Sequence, residues 1–279
     1  MEQIRRMRGG SQSHFMRCSD GVNHDLYYVV KFQNNPQGQR ILVNELLGTR
    51  IASLMGLPTT ATAIVHVGQD LINYTPALSM ELPRHRIPCR AGLQFGSSHP
   101  GDPRLRTLFD FVPDQHLREV LNLHDFAGML VFDKWMCNTD GRQVIFYRED
   151  ESTNRSYKAV MIDQGFCFNA NNWNFPDAPL RGRYCRSAAY DWVTGLDSFE
   201  PWLTLLESKI DANALFAAAR GIPMEWYETD IAGLNRLLER LDKRRKIVRE
   251  LLTSMARATP RQFPNWTIGS VLRGSGAAA

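Results

Sequence analysis

Leu26-Tyr27-Tyr28-Val29-Val30-Lys31-Phe32, then Gln33-Asn34-Asn35-Pro36-Gln37-Gly38, then Gln39-Arg40-Ile41-Leu42-Val43-Asn44-Glu45-Leu46-Leu47-Gly48 decide the reading of this chain. The first run is rich in aromatic and β-branched residues and reads as a strand. The second holds Asn, Pro and Gly and reads as a loop. From Ile41 onward, Ile41, Leu42, Glu45, Leu46, Thr49, Ile51, Ala52 and Leu54 recur at a helical period of about 3.6 residues. Gly56 with Pro58 beyond marks the helix end. A lysine thus closes an apolar strand, and a carboxylate, Glu45, sits on the shoulder of the next helix. A carboxylate bordering an apolar face calls for a partner, because an unpaired buried charge is costly. Lys31 is the cation that can supply it.

Outward from this core, three further segments fall into order. Upstream, Arg8-Gly9-Gly10-Ser11-Gln12 lies between two short strands. Glycines let a backbone approach an anion closely, and Ser11, Gln12 and Ser13 add donors. Downstream, Asn138-Thr139-Asp140 follows the apolar run His124 to Cys137, a helix expected to be buried. Finally Ile162-Asp163-Gln164-Gly165 follows the β-like run Ala159 to Ile162, 23 residues after Asp140. Each segment alone has an ordinary explanation: a hairpin turn, a solvated edge lysine, a helix-ending Asn/Asp turn, a chance Asp-x-Gly. Together they order a glycine turn, a strand lysine, and two separated aspartates as phosphoryl transfer requires, since that chemistry is mostly positioning and charge neutralisation. A hard divalent cation such as Mg²⁺ prefers oxygen ligands, and Asp163 at a strand end suits it.

The rest of the chain frames this set. Its 279 residues allow one large domain or two lobes around a cleft. Ala61 to Val67 reads as another strand. Pro83 to Pro103 is rich in Pro, Gly, Ser, Arg and His and reads as a hinge plus an exposed loop. Helices dominate beyond it: Asp114 to about Leu121, His124 to Cys137, Phe199 to Lys209, Ala212 to Ala219, and one long helix from Asp230 to Arg257. Val144–Tyr147 and Tyr157–Ile162 read as paired strands joined by the polar loop Glu149–Ser156. The fold class is α+β, with a β-rich lobe at 1–96, an α-rich lobe at 97–273 and a frayed tail at 274–279.

Composition sets limits. An apolar fraction of 43% is ordinary for a packed protein, and a net charge of +4 gives no ground for nucleic-acid binding. The basic run Lys243-Arg244-Arg245-Lys246 reads as a solvated helix face. Five scattered cysteines without a CxxC pair read as reduced thiols in a cytoplasm. The N-terminus has no apolar signal region, and no segment is long and apolar enough to span a bilayer.

These strings, taken in order from Arg8 to about Phe168, resemble the short HipA-like kinases. The resemblance implies a bilobal protein-kinase-like fold with ATP and Mg²⁺ between the lobes. It also implies that Lys31 contacts ATP phosphates, Glu45 orients Lys31, Asp140 is the catalytic aspartate and Asp163 binds the metal. HipA toxins are serine/threonine kinases that pair with a DNA-binding antitoxin. This chain begins at the glycine turn, so such a partner is not expected. The kinase pattern places a metal-binding asparagine five residues after the catalytic aspartate, where this chain has Ile145. Gln143 or Asn138 is the expected substitute. Three readings follow: a kinase of a protein serine or threonine, a kinase of a small molecule or lipid headgroup, and an ATP-binding module without turnover.

Overall fold

The computed structural model describes residues 1–148 and 156–267. Strands β1 (Glu2–Arg6), β2 (His14–Cys18) and β3 (Leu26–Lys31) form an antiparallel meander, as the β-forming runs require. Helix α1 (Ile41–Leu54) follows. It ends where Gly56 takes a φ of 69°, which frees the Leu57 N–H to reach back to Ala52 O at 3.0 Å. Strand β4 (Thr62–Val67), a short helix α2 (Gln69–Tyr74) and strands β5 (Ser79–Glu81), β6 (Arg86–Pro88) and β7 (Gly92–Ser98) complete this half. The main sheet has the order β1-β2-β3-β7-β4, and β5 pairs with β6 in a separate hairpin.

Strand β7 corrects the sequence reading. The segment taken as hinge and exposed loop contains an interior strand of the main sheet, paired with β3 on one side and β4 on the other. The strand-rich half therefore runs to Ser98, and a boundary at residue 96 would cut β7. The signal was hidden because Gly-Leu-Gln-Phe-Gly-Ser-Ser carries a single aromatic, Phe95, and no β-branched residue. Packing requires the second glycine: a Cβ at Gly96 would come 2.6 Å from Val65 Cγ2 and 3.2 Å from Tyr28 Cδ1.

The second half is mostly helical. Helix α3 (Asp114–Leu117) is one turn only, shorter than expected. Helix α4 (Asp125–Trp135) is buried along nearly its whole length, as an all-round apolar helix must be. Strands β8 (Gln143–Tyr147) and β9 (Lys158–Ile162) pair as expected. Most of the polar loop between them lies outside the described residues. Helices α5 (Glu200–Ser208) and α6 (Ala212–Ala219) match the sequence reading. The single long helix does not: it divides into α7 (Ile231–Arg244), a 3-10 turn at Arg245–Ile247, and α8 (Val248–Ala258). The break falls in the basic run. Arg244 is buried, donating to Lys134 O, Trp135 O and Asp177, so this run is partly a structural clamp rather than a wholly solvated face.

One large core unites α1, α4, the β8–β9 hairpin and α5 to α8, and a smaller one fills the sheet around Met16, Val30, Phe32 and Val65. Helix α1 therefore belongs mainly to the helical half's core while carrying Glu45 toward the sheet. The tail 274–279 lies outside the described residues. Among the described residues, no helix is long and apolar enough to cross a membrane.

Candidate active site

Lys31 is the last residue of β3. Phe32, fully buried in the sheet core, pins the chain immediately after it. The following loop is tied by its own amides: Asn35 Nδ2 donates to Phe32 O at 2.8 Å and to Gly38 O at 3.0 Å. The chain then enters α1, and Glu45 sits one turn in. Both ends of the expected pair are buried, Lys31 7% and Glu45 3% exposed.

The Lys31 ammonium donates to Glu45 Oε1 and to Asp163 Oδ1, the latter at 3.0 Å. Glu45 Oε2 accepts the backbone N–H of Gln164 at 2.9 Å. Strand β9 delivers Asp163 to this point, and Asp163 takes a left-handed φ of 61° that turns the chain. Three sequence-predicted residues, remote in the chain, thus share one ammonium.

The electrostatics divide the two carboxylates. Burial alone would lower the Lys31 amine, but Glu45 and Asp163 outweigh it and hold the ammonium above its ordinary value. Burial raises the Glu45 carboxyl to about 7, and the Asp163 charge adds to this while Lys31 opposes it. Burial also acts to raise Asp163, yet Lys31 and hydrogen bonds overcome it and bring that carboxyl down to about 2. Asp163 therefore carries the negative charge at the cleft, beside a fixed positive one. That pairing fits a nucleotide phosphate on Lys31 and a divalent cation on Asp163. Among the described residues no three His, Cys, Asp or Glu side chains group to hold a metal by themselves. Mg²⁺ commonly takes one or two carboxylates and completes its shell with water and substrate phosphates.

The glycine turn lies at the same end of the sheet. His14 pairs with Val30, so Ser13 comes level with Lys31 and the turn projects past it. Gly9 has a φ of 120°, and a Cβ at Gly10 would meet Gln37 Nε2 at 2.7 Å. Ser11 and Ser13 are both buried, their hydroxyls 3.3 Å apart. Gln12 departs from expectation. Its side chain accepts from Glu81 N at 2.6 Å and from Arg6, and donates to Glu81 O at 2.8 Å. It anchors the turn to the β5–β6 hairpin instead of standing free as a donor.

Asp140 is exposed on the loop between α4 and β8. Its N–H donates to Asn138 Oδ1 at 3.1 Å, its carbonyl accepts from Gly182 N at 3.0 Å, and Oδ1 accepts from Gly141 N at 2.8 Å. Asn138 is buried, and its Nδ2 donates to Asp133 Oδ1 at 2.9 Å. Asn138 thus positions Asp140, and its Oδ1, which accepts one N–H, keeps a second lone pair. Gln143 is exposed at the start of β8, opposite Ile162. Ile145 is buried in a small apolar cluster with Tyr147 and Val160, against Leu108 and Ile162. It offers no oxygen to a metal.

Beneath both loops lies an ion pair that motif reading did not single out. Arg142 and Asp133 are joined, each side chain without solvent exposure. Arg142 also donates to Ile162 O at 2.7 Å and Gln164 Oε1 at 2.7 Å. This one guanidinium ties α4 and the Asp140 loop to the Asp163 turn. A signal was present: an aspartate inside an apolar helix is rarely buried unless it is paired.

The sequence pattern of HipA-like kinases matches residues 1–257. The chain belongs to the HipA-like kinase family. Among solved structures, this kinase is similar to the proinflammatory kinase CtkA of Helicobacter pylori, at 14% identity and a TM-score of 0.53, covering 91% of this chain and 94% of that one. It is also similar to the Golgi casein kinase, at 11% identity and a TM-score of 0.50, covering 94% of this chain and 75% of that one. No curated protein matches it. The fold is thus the bilobal protein-kinase-like one, with the main sheet in the first lobe and α4 to α8 in the second.

Proposed function

We propose that this HipA-like kinase transfers the γ-phosphoryl group of ATP, with Mg²⁺, to a serine or threonine hydroxyl of a protein. One observation carries the reading: the Lys31 ammonium is held between buried Glu45 and the cleft-side carboxylate of Asp163. A kinase needs such a fixed cation at the phosphates and a carboxylate at the metal. Lys31 binds ATP phosphate oxygens, and Glu45 keeps Lys31 in place. The turn at Gly9, Gly10 and Ser11 covers the phosphates through its backbone N–H groups, with the Gln12 side chain holding the turn. Asp163 would take the metal, with Gln143 or Asn138 as the candidate second oxygen ligand. A Mg²⁺ ion held there would offset the charge of the bound phosphates. Asp140 accepts a hydrogen bond from the acceptor hydroxyl and orients it toward the γ-phosphorus. Its exposure supports a macromolecular acceptor, since an enclosed pocket is what a small acceptor needs.

The test is transfer of labelled phosphate from Mg-ATP to a panel of proteins, peptides, small alcohols and lipid headgroups. Label on protein Ser or Thr is expected, and label confined to small molecules or lipids would overturn the acceptor class. Ile145 supports a second reading, an ATP-binding protein without turnover, because apolar packing occupies the place of a metal-binding asparagine. Under the first reading Gln143→Ala lowers turnover, with partial recovery in high Mg²⁺ or in Mn²⁺. ATP binding without transfer to any acceptor would favour the second.

A further inference from the structure

The segment after Asp163 is built from residues in an unfavourable backbone region. Phe168, Asn169, Ala170 and Trp173 have φ of 59°, 57°, 55° and 49°. Side-chain-bearing residues persist there only when their surroundings dictate it. The surroundings are the first two turns of α1. Asn44, fully buried, donates from Nδ2 to Gly165 O at 2.7 Å, Ala170 O at 2.9 Å and Cys167 O at 3.1 Å. Its Oδ1 accepts the indole N–H of Trp173 at 2.9 Å. One amide thus spans the whole strained stretch. Arg40, one turn earlier, lays its guanidinium 4.4 Å from the Trp173 ring centroid and donates to Asn171 O. Asn171 in turn donates to Gln37 O. The residue after Asn44 is Glu45, which holds Lys31 and the Gln164 N–H.

Protein kinases set the corresponding segment by pairing a phosphorylated residue with arginine. Near this segment three arginines are already paired with carboxylates, while a fourth, Arg240, donates to Trp173 O at 3.4 Å and lies over the Phe175 ring. Arg142 is buried on Asp133, Arg244 is on Asp177, and Arg40 is on Asp230. The residue before Asp140 is Thr139, not a cation. We infer that Asn44 is a positioning residue that latches Gly165–Trp173 to α1, so that this segment is set without phosphorylation and moves only together with α1. The inference rests on reading Asp163 as the metal carboxylate.

Asn44→Asp tests it. The variant keeps the Oδ1 acceptor and the volume but loses all three donations. Amide hydrogen exchange without nucleotide is the first readout. The reporter is the Phe168 N–H, bonded to Met136 O at 2.7 Å. Exchange across 165–173 should rise about tenfold or more while α4 amides stay unchanged. Turnover should fall about tenfold with the KM for ATP within about threefold, since Lys31 and Glu45 are untouched. Phosphatase-treated wild type should keep its turnover. Unchanged exchange in Asn44→Asp overturns the latch, as does a phosphate in 165–186 whose removal abolishes activity. If Asn44→Asp does not fold, Trp173→Phe removes one of the four bonds. Exchange should then rise severalfold across the segment, and no rise overturns the latch. A wild type that never turns over, with exchange still rising in the variant, refutes the kinase reading and leaves the latch standing.

Discussion

Lys31 Nζ lies 3.0 Å from Asp163 Oδ1, across 132 residues of chain. The end of a strand in the first lobe and the end of a hairpin in the second thus share one hydrogen bond, and Glu45 closes the triangle from α1. A ligand that binds only the folded state stabilises it, by about 2.7 kcal/mol at a hundredfold excess over Kd. Mg-ATP should therefore raise the melting temperature of wild type, and Lys31→Ala should lose most of that rise. An equal rise in the variant would remove Lys31 from the nucleotide site.

The two aspartates should separate by function. Asp163 touches Lys31, while Asp140 stands exposed on its own loop. Asp163→Asn should lose the Mg²⁺-dependent part of nucleotide binding. Asp140→Asn should bind Mg-ATP as wild type does yet lose turnover by about 10²- to 10⁴-fold, since its role arises only at transfer. Full activity in Asp140→Asn would show that another group orients the acceptor.

The triangle was legible in the sequence because each member carries a local signal. Lys31 ends an apolar strand, Glu45 interrupts an apolar helix face, and Asp163 follows a β-run before a glycine. Strand β7 was not legible, because its glycine and polar residues answer to neighbours in the sheet. Val65 and Tyr28 occupy the space a side chain at Gly96 would need, and no local pattern reports that. The structural ties of Asn138 to Asp133 and of Gln12 to Glu81 were not legible for the same reason. An amide near a site looks like a ligand in sequence, and only the fold reveals which protein groups it also holds. The break between α7 and α8 is likewise tertiary, since the leucine stripe on its two sides runs on through Leu234, Leu241, Val248 and Leu252.

The Arg142–Asp133 pair gives a stability prediction. Removing one member of a buried pair strands the other charge, at about 3–5 kcal/mol, whereas apolar replacement of both is often far milder. Asp133→Ala should therefore destabilise strongly, read as a lower urea midpoint at constant m value. Asp133→Leu combined with Arg142→Leu should be less destabilised than Asp133→Ala, though Ile162 O and Gln164 Oε1 still lose a donor. A double variant worse than the single one would mean that Arg142's bonds to the Asp163 turn outweigh the pair.

The last prediction concerns pH. Glu45 titrates at about 7 in the fold against an ordinary value of 4.5, chiefly through burial. The folded state thus holds this proton more tightly than the unfolded chain. Its contribution to stability is full below about pH 4.5 and is lost as pH rises toward 7, on the order of a few kcal/mol. Asp163 works the other way. Its carboxyl lies at about 2 against 3.8, so its contribution is full above 3.8 and is lost as pH falls through about 2. Between pH 5 and 8 only Glu45 of the two changes state. Nucleotide-free wild type should then lose melting temperature across that range relative to Glu45→Gln, which has no proton to release. Mg-ATP should reverse the trend. A divalent cation at Asp163 favours ionised carboxylates, and ionised Glu45 grips Lys31, so the Mg-ATP stabilisation of wild type should grow from pH 6 to pH 8. In Glu45→Gln it should be weaker and flat. A wild type and a Glu45→Gln variant whose melting curves run parallel over pH 5 to 8, with and without nucleotide, would show that Glu45 does not titrate in that range and that its proton plays no part in setting the site.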